Sequence, residues 1–274
     1  MKELIAHITH QLLPCYPEDE ARALALWIIE ESTGFSRSEI LTGCKGTKNI
    51  PNLQETINRL LHFEPIQYIF GHTEWCGIDL KVTPATLIPR PETAELVERI
   101  QNSKFKIQNC RVLDIGTGSG CIGIALKKRH PEWQVTGIDI SAEAIKIAKG
   151  NAARNNVEVA FKQADIFADE IETIGTFDIV VSNPPYICEK EKVTMSPNVL
   201  DFEPASALFV PDEDPLLFYR RIASLKLSKQ LFFEINEAYP QEVVNLLENL
   251  GYTSIQVTKD IYGKPRIIQA RSTR

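Results

Sequence analysis

Between Arg111 and Arg129 the chain passes from a short apolar run, RVLDI, through Gly116-Thr117-Gly118-Ser119-Gly120 into a helix-forming stretch, CIGIALKKR. Few folds accommodate that succession. A short apolar run bounded by glycine reads as a buried strand. Alternating glycines permit a tight turn and let a ligand approach main-chain atoms closely. The helix behind them offers free N–H groups toward the turn. A strand followed at once by a helix implies a crossover to a parallel neighbour. QVTGIDI, VEVAFKQAD, FDIVVSNPPY and LFFEIN supply further strands, and SAEAIKIAKGNAARNN a further helix. After a last helix near Gln241 to Leu250 come YTSIQVTKD and RIIQARS, joined by a short turn at Ile261 to Lys264. So short a turn requires an antiparallel pair, and one strand therefore enters the sheet reversed. The expectation is an α/β fold with a mainly parallel sheet covered on both faces.

The first third reads differently. EDEARALALWIIEE, from Glu18 to Glu31, suits a helix with acidic residues in its first turn, where the helix dipole favours them. From Asn52 to Phe63, Leu53, Ile57, Leu60 and Leu61 recur at helical spacing. Gly34 and Gly43 punctuate this region. IQYIF and IDLKV flank a polar turn from Gly71 to Gly77, and their alternation and β-branched content predict a short hairpin. Pro84, Pro89 and Pro91 then stiffen a connector that ends in a helix. The expected plan is a helical domain over residues 1–65, a hairpin and linker over 66–92, and the α/β domain over 93–274. The 274 residues, 43% of them hydrophobic, can form one large core and one small one.

Composition narrows the function. A formal net charge of −6 argues against a protein that grips nucleic acid by its backbone. None of Cys15, Cys44, Cys76, Cys110, Cys121 and Cys188 lies in a CxxC pair. They read as reduced thiols, and His7 and His10 find no further ligands nearby, so no metal site is expected. The N-terminus lacks the apolar core and cleavage site of a signal peptide, and no apolar run is long enough to span a membrane. A cytoplasmic location is expected.

Two sites carry the chemistry. The first is the glycine loop with Asp139, which ends the next strand and can accept hydrogen bonds from both hydroxyls of a ribose. Together they predict a nucleoside ligand, although an NAD-binding fold shares this logic. The second is Asn183-Pro184-Pro185-Tyr186, directly after the apolar run FDIVV. Ligands of open α/β sheets bind beyond the carboxyl ends of strands. The Asn183 side-chain carbonyl and the Pro184 backbone carbonyl can accept both hydrogens of one planar –NH₂ group, and Tyr186 can stack on its plane. An amide nitrogen is a poor nucleophile because its lone pair is delocalised. Accepting both N–H bonds polarises the nitrogen and orients it, so catalysis here would be orientation and electrostatics.

These motifs together resemble the HemK/PrmC family, the protein-glutamine methyltransferases of peptide chain release factors. EPIQYIFG, LIPRPET, DIGTGSG, SNPPYI, FEPASAL and FFEI before KDIYGKPRII all look like family segments. The resemblance implies a class I S-adenosylmethionine-dependent methyltransferase domain with a small helical N-terminal domain. It implies S-adenosylmethionine as cofactor, and as acceptor the glutamine of a Gly-Gly-Gln loop in a release factor. By position, Gly116, Thr117, Gly118, Ser119, Gly120, Asp139 and Asn183 would bind the cofactor. Asp114 would serve the positive methionine end, Asp165 would read the adenine amino group, and Ile166 or Phe167 would flank the ring. Asn183, Pro184, Pro185 and Tyr186 would hold the glutamine amide. Arg90, Pro91 and Glu92 fall in the linker, and Phe202, Glu203 and Pro204 would order a loop near the substrate. Ala94 stands where the family usually has an acidic residue, and Asn236 where it has glycine. Both are expected to alter local loops only.

Enzymes that methylate an exocyclic amine of a nucleic-acid base resemble this chain at Asn-Pro-Pro-Tyr and flip the base into the pocket. The acidic charge, the lack of a nucleic-acid module and the PRPET linker weigh against that reading. A ribosomal-protein glutamine is a closer alternative acceptor. A dehydrogenase or a non-catalytic nucleotide-binding protein would have no use for Asn-Pro-Pro-Tyr.

Overall fold

The computed structural model describes residues 1–43, 50–102 and 108–272; Cys44 lies outside them. Two compact units emerge, one comprising Met1–Gly71 and Ser196–Phe202, the other His72–Met195 and Glu203–Arg274. In the first, α1 (Lys2–Leu12), α2 (Glu18–Thr33), α3 (Arg37–Thr42), α4 (Leu53–Leu61) and α5 (Ile66–Phe70) enclose Ile8, Leu12, Ile28, Ile29, Ile57 and Leu60. Their ends follow the local chemistry. Gly34, at φ 71°, and Gly43, at φ 88°, close α2 and α3 in the left-handed conformation. Ser36 and Glu39 form a reciprocal capping box on α3.

Helix α5 corrects the reading of IQYIF as a strand. The Pro65 carbonyl accepts from the N–H groups of Tyr68 and Ile69, and Gly71, at φ 76°, ends the turn. Five residues are too few to separate a period of 2 from one of 3.6, so the flanking proline and glycine decide. The hairpin exists, but its first strand begins after Gly71: β1 (His72–Trp75) pairs with β2 (Ile78–Lys81). Cys76 and Gly77 both have positive φ, 50° and 74°, which is the two-residue turn whose twist matches a hairpin.

The second unit continues with α6 (Pro91–Asn102), β3 (Arg111–Ile115), α7 (Cys121–Arg129), β4 (Gln134–Asp139), α8 (Ala142–Arg154), β5 (Ala160–Gln163) and β6 (Phe177–Ser182). It proceeds through the two-residue β7 (Ile187–Cys188), and, past the one-turn helix α9 (Pro197–Leu200), through β8 (Phe209–Val210). Then follow α10 (Leu217–Ser224), β9 (Ser228–Glu234), α11 (Pro240–Asn249), β10 (Tyr252–Lys259) and β11 (Pro265–Ser272). The main sheet has seven strands in the order β10-β11-β9-β6-β3-β4-β5. All neighbours are parallel except β11, which runs against both β9 and β10. Successive side chains of each strand enter opposite cores. Val112, Val135, Val181 and Phe232 pack with α6, α7 and α8, whereas Leu113, Ile138, Val180 and Phe233 pack with α10 and α11. Both faces are buried, which is why these strands read as unbroken apolar runs. Among the described residues no helix is long and apolar enough to cross a membrane.

Two asparagines, one in α8 and one at its C-cap, fasten the hairpin. Asn151, fully buried, accepts from Lys81 N (2.7 Å) and donates to Lys81 O (3.0 Å) and to Ser119 O (2.9 Å). One turn on, Asn155 accepts from Asp79 N (3.2 Å) and donates to Asp79 O (2.7 Å). Four helical residues rise about 6 Å and two strand residues about 6.8 Å, so a helix face can address alternate residues of a strand edge. Asn151→Ala should therefore destabilise the protein by roughly 2–4 kcal/mol, because three backbone groups, one of them buried, lose their partner. Asn155→Ala should cost less. Urea denaturation of both variants checks the order, and equal small losses would show that water replaces these bonds without penalty.

Candidate active site

A cavity of about 420 Å³ opens at the carboxyl ends of the parallel strands. Gly116, Thr117, Gly118 and Ser119 line it after β3, Asp139 and Ile140 after β4, and Asp165, Ile166 and Phe167 after β5. Asn183, Pro184 and Pro185 line it after β6. The fold thus brings most of the residues singled out by sequence to one surface. Of those assigned to a ligand, three do not line it: Gly120, Tyr186 and Asp114. Gly120 sits under the loop, at φ 83°, where an added Cβ would lie 2.9 Å from Ile124 Cδ1 and 3.1 Å from the Phe161 ring. Its role is close packing of helix against strand. Tyr186 packs against the core beneath α10 and α11, and its hydroxyl donates to Glu234 Oε1 (3.0 Å).

The loop is held by carboxylates. Asp139 Oδ2 accepts from Gly118 N (2.8 Å) and Oδ1 from Ser141 N (2.9 Å). Each oxygen retains a second lone pair, so Asp139 can hold the loop and still accept from a ligand's two hydroxyls. Asp165 Oδ1 accepts from Phe167 N (2.8 Å), which turns the chain so that Phe167 reaches the Phe218 ring, 5.2 Å away edge to face.

Asp114 corrects an expectation. It does not face the cavity: it is fully buried, and Oδ2 accepts from Thr117 Oγ1 (2.6 Å) and Gly123 N (3.2 Å). Its work is inside the loop, joining the turn to the first turn of α7.

Several side chains support the cavity from behind, and of these only Glu203 and Asn236 carried an expectation, that of shaping a loop. Arg90 Nη2 donates to both oxygens of buried Glu203, at 2.7 and 2.9 Å, tying the PRPET linker to the segment that begins Glu203-Pro204. Burial raises the Glu203 carboxyl above its ordinary value, and Arg90 opposes that rise. Thr93 Oγ1 donates to Glu234 Oε2 (2.7 Å), and Asn183 Nδ2 donates to Thr93 Oγ1 (3.2 Å). Desolvation lifts Glu234, while Thr93, Tyr186 and Arg266 pull it down. Asn236 does more than shape its own loop: Nδ2 donates to the Tyr186 carbonyl and to Glu191 Oε1, both at 3.0 Å. The available signal was a carboxylate ending an apolar strand, LFFE, since such a group must find partners when buried.

A glycine loop, an acidic residue ending the next strand and a reversed strand in a seven-stranded sheet define the class I S-adenosylmethionine-dependent methyltransferase fold. The chain superposes on a methyltransferase from Pyrococcus furiosus with a TM-score of 0.52 at 18% identity, covering 80% of this chain and 98% of that one. It superposes on the N-terminal domain of human METTL16 in complex with SAH with a TM-score of 0.53 at 18% identity, covering 72% and 76%. The family models for a PrmC N-terminal domain and a methyltransferase small domain match residues 3–71 and 91–201. A release factor glutamine methyltransferase from Bacteroides thetaiotaomicron is 46% identical over 98% of this chain and 99% of its own length. One from Flavobacterium psychrophilum is 41% identical over 98% of each. The chain belongs to the release factor glutamine methyltransferase family.

The buried Asp114 carboxyl makes a pH-dependent contribution. Desolvation pushes it from 3.8 up to about 6, against the hydrogen bonds from Thr117 and Gly123 and with a further push from Asp139. Because the folded value is the higher, the folded state binds more protons in this window, and stability falls as pH rises from about 4 through 6. Asp114→Asn removes the titration and keeps an acceptor for Thr117 and Gly123. Denaturation of the ligand-free variant at about pH 7.5 should show a gain of about 1–3 kcal/mol, shrinking toward zero near pH 4. A difference independent of pH would mean that Asp114 stays ionised throughout.

Proposed function

We propose that this protein transfers a methyl group from S-adenosylmethionine to the side-chain amide nitrogen of the glutamine in the Gly-Gly-Gln loop of a peptide chain release factor. One observation carries the reading. Asn183, Pro184 and Pro185 line the same cavity as the glycine loop and Asp139, so an amide-accepting pair adjoins a cradle suited to a nucleoside. Full-length relatives named release factor glutamine methyltransferases support the acceptor. A net charge of −6 favours a protein acceptor over a nucleic-acid base, and we place the reaction in the cytoplasm, where translation terminates.

The residues present fit the cofactor. Asp139 has lone pairs left for both ribose hydroxyls. Asp165 has one oxygen beyond its bond to Phe167 N and accepts from the adenine amino group, with Ile166 and Phe167 flanking the ring. Gly116, Thr117, Gly118 and Ser119 offer backbone to the methionine moiety. S-adenosylmethionine, when bound there, supplies a methyl group on a sulfonium sulfur that leaves with the electron pair of the broken C–S bond. Asn183 Oδ1 and the Pro184 carbonyl accept the two N–H bonds of the glutamine amide, while Tyr186, turned into the core, anchors the end of the tetrapeptide on Glu234. This turns the nitrogen lone pair toward the methyl carbon. The new N–C bond forms, and the nitrogen then releases one proton to solvent, so no strong base is needed beforehand.

Incubation with a folded release factor and S-adenosylmethionine should add a single methyl to the loop glutamine, read by mass spectrometry. Methyl label appearing in RNA or DNA, with none in the factor, would defeat the assignment. Asp139→Ala should weaken S-adenosylmethionine binding by about 1.5–3 kcal/mol, because the ribose loses a charged acceptor. Calorimetry decides, and an unchanged affinity removes Asp139 from the cofactor site. Asn183→Ala should slow single-turnover methylation roughly a hundred- to a thousand-fold while leaving the fold intact.

A further inference from the structure

We infer that Glu234, acting through Thr93, fixes the amide of Asn183 with its carbonyl toward the acceptor, making Thr93 and Glu234 positioning residues for methyl transfer. The inference rests on the assignment of Asn183 to the acceptor amide. It adds the reason why Asn183 presents oxygen rather than nitrogen.

An asparagine amide is nearly symmetric in shape. Turned one way it presents an acceptor to the cavity, and turned the other way it presents a donor. Only the first can bind the –NH₂ of an incoming glutamine, so something must choose. The choice begins at Glu234. Its side chain is buried, at 1% exposure, where β9 ends, and both of its oxygens are occupied. Oε2 lies 2.7 Å from Thr93 Oγ1 and Oε1 lies 3.0 Å from the Tyr186 hydroxyl. A carboxylate has no hydrogen to give, so both hydroxyls must donate to it. The single hydrogen of Thr93 is thereby committed. What Thr93 still offers is a lone pair, and a lone pair accepts only from the –NH₂ side of Asn183, whose Nδ2 stands 3.2 Å away. With Nδ2 held on Thr93, Oδ1 is turned away from it. Charge at Glu234 is thus converted, through one hydroxyl, into the direction of an amide.

Thr93 suits this task by its place. It is 2% exposed, in the first turn of α6 just after the PRPE of the linker, and its β-branched side chain has few rotamers to explore. Glu234 also steadies the far end of the tetrapeptide through the Tyr186 hydroxyl, while Asn236, two residues on, takes the Tyr186 carbonyl. The groups that bear on Glu234 electrostatically are Arg266, which favours its anion, and Glu92, which opposes it.

Thr93→Val and Thr93→Ser separate positioning from packing. Valine copies the shape of threonine and cannot accept from Asn183; serine keeps the hydroxyl and leaves a methyl-sized void. Single-turnover methylation of a release factor at saturating S-adenosylmethionine is measured beside Asn183→Ala, with cofactor affinity by calorimetry as the check on folding. Thr93→Val should fall roughly ten- to a hundred-fold in rate, with cofactor affinity little changed, while Thr93→Ser stays within about threefold of the parent. Glu234→Leu, which removes both acceptors and so frees the Thr93 hydrogen, should fall like Thr93→Val, and it decides the matter if Thr93→Val fails to bind cofactor. Full activity of Thr93→Val, or Thr93→Ser as slow as Thr93→Val, overturns the inference. If Asn183→Ala is itself fully active, the acceptor assignment fails first; if Asn183→Ala is slow and Thr93→Val is not, only the relay fails.

Discussion

The point at which the sheet changes its direction of growth governs the rest of this molecule. From β3 the chain builds outward through β4 and β5, then returns to lay β6 on the opposite side of β3 and continues through β9. The helices of the two halves cover opposite faces, so a crevice opens where the carboxyl ends of β3, β4 and β6 meet. Residues far apart in the chain, from Asp139 to Asn183, arrive there because each follows a parallel strand. Parallel strands bring their carboxyl ends, and the loops that follow them, to one edge.

Buried carboxylates organise that edge. Asp114 holds the inside of the glycine loop, Glu203 holds Arg90 of the linker, and Glu234 holds Thr93 and Tyr186. Each has lost water and has gained donors in exchange, and each has its carboxyl raised by the burial. A neutral acceptor would make fewer demands on solvation. An anion, however, accepts and never donates, so it dictates the direction of every hydrogen bond around it. That one-way character is what turns the Asn183 amide in the direction proposed above.

Much of this was legible in the sequence, and the reasons for success and failure are physical. RVLDI and FDIVV are buried on both faces, so their apolar runs announced central parallel strands. Gly116 and Gly118 take positive φ, as a ligand-cradling turn requires, and Asp139 ends β4 where a ribose acceptor would stand. IQYIF misled because five residues cannot reveal a period, and the proline and glycine at its ends carried the decision. Asp114 and Gly120 belong to the same motif as Gly118, yet they face inward, and spacing alone does not say which way a side chain turns within a loop. Thr93 and Glu234 lie 141 positions apart and touch only because α6 and β9 pack together in one core. Asn151 gave no signal at all, since an asparagine in a helix ordinarily faces water.

The clasp between α8 and the hairpin has a consequence beyond holding the glycine loop. A strand that ends a small sheet leaves a row of N–H and C=O groups free to recruit a strand from another molecule. On β2 the groups of Asp79 and Lys81 that would form such a row are already taken by the amides of Asn155 and Asn151. Helix α8 therefore closes that border of the hairpin as a neighbouring strand would. Because it does so with side chains rather than main chain, it offers no further border of its own along which an aggregate could grow.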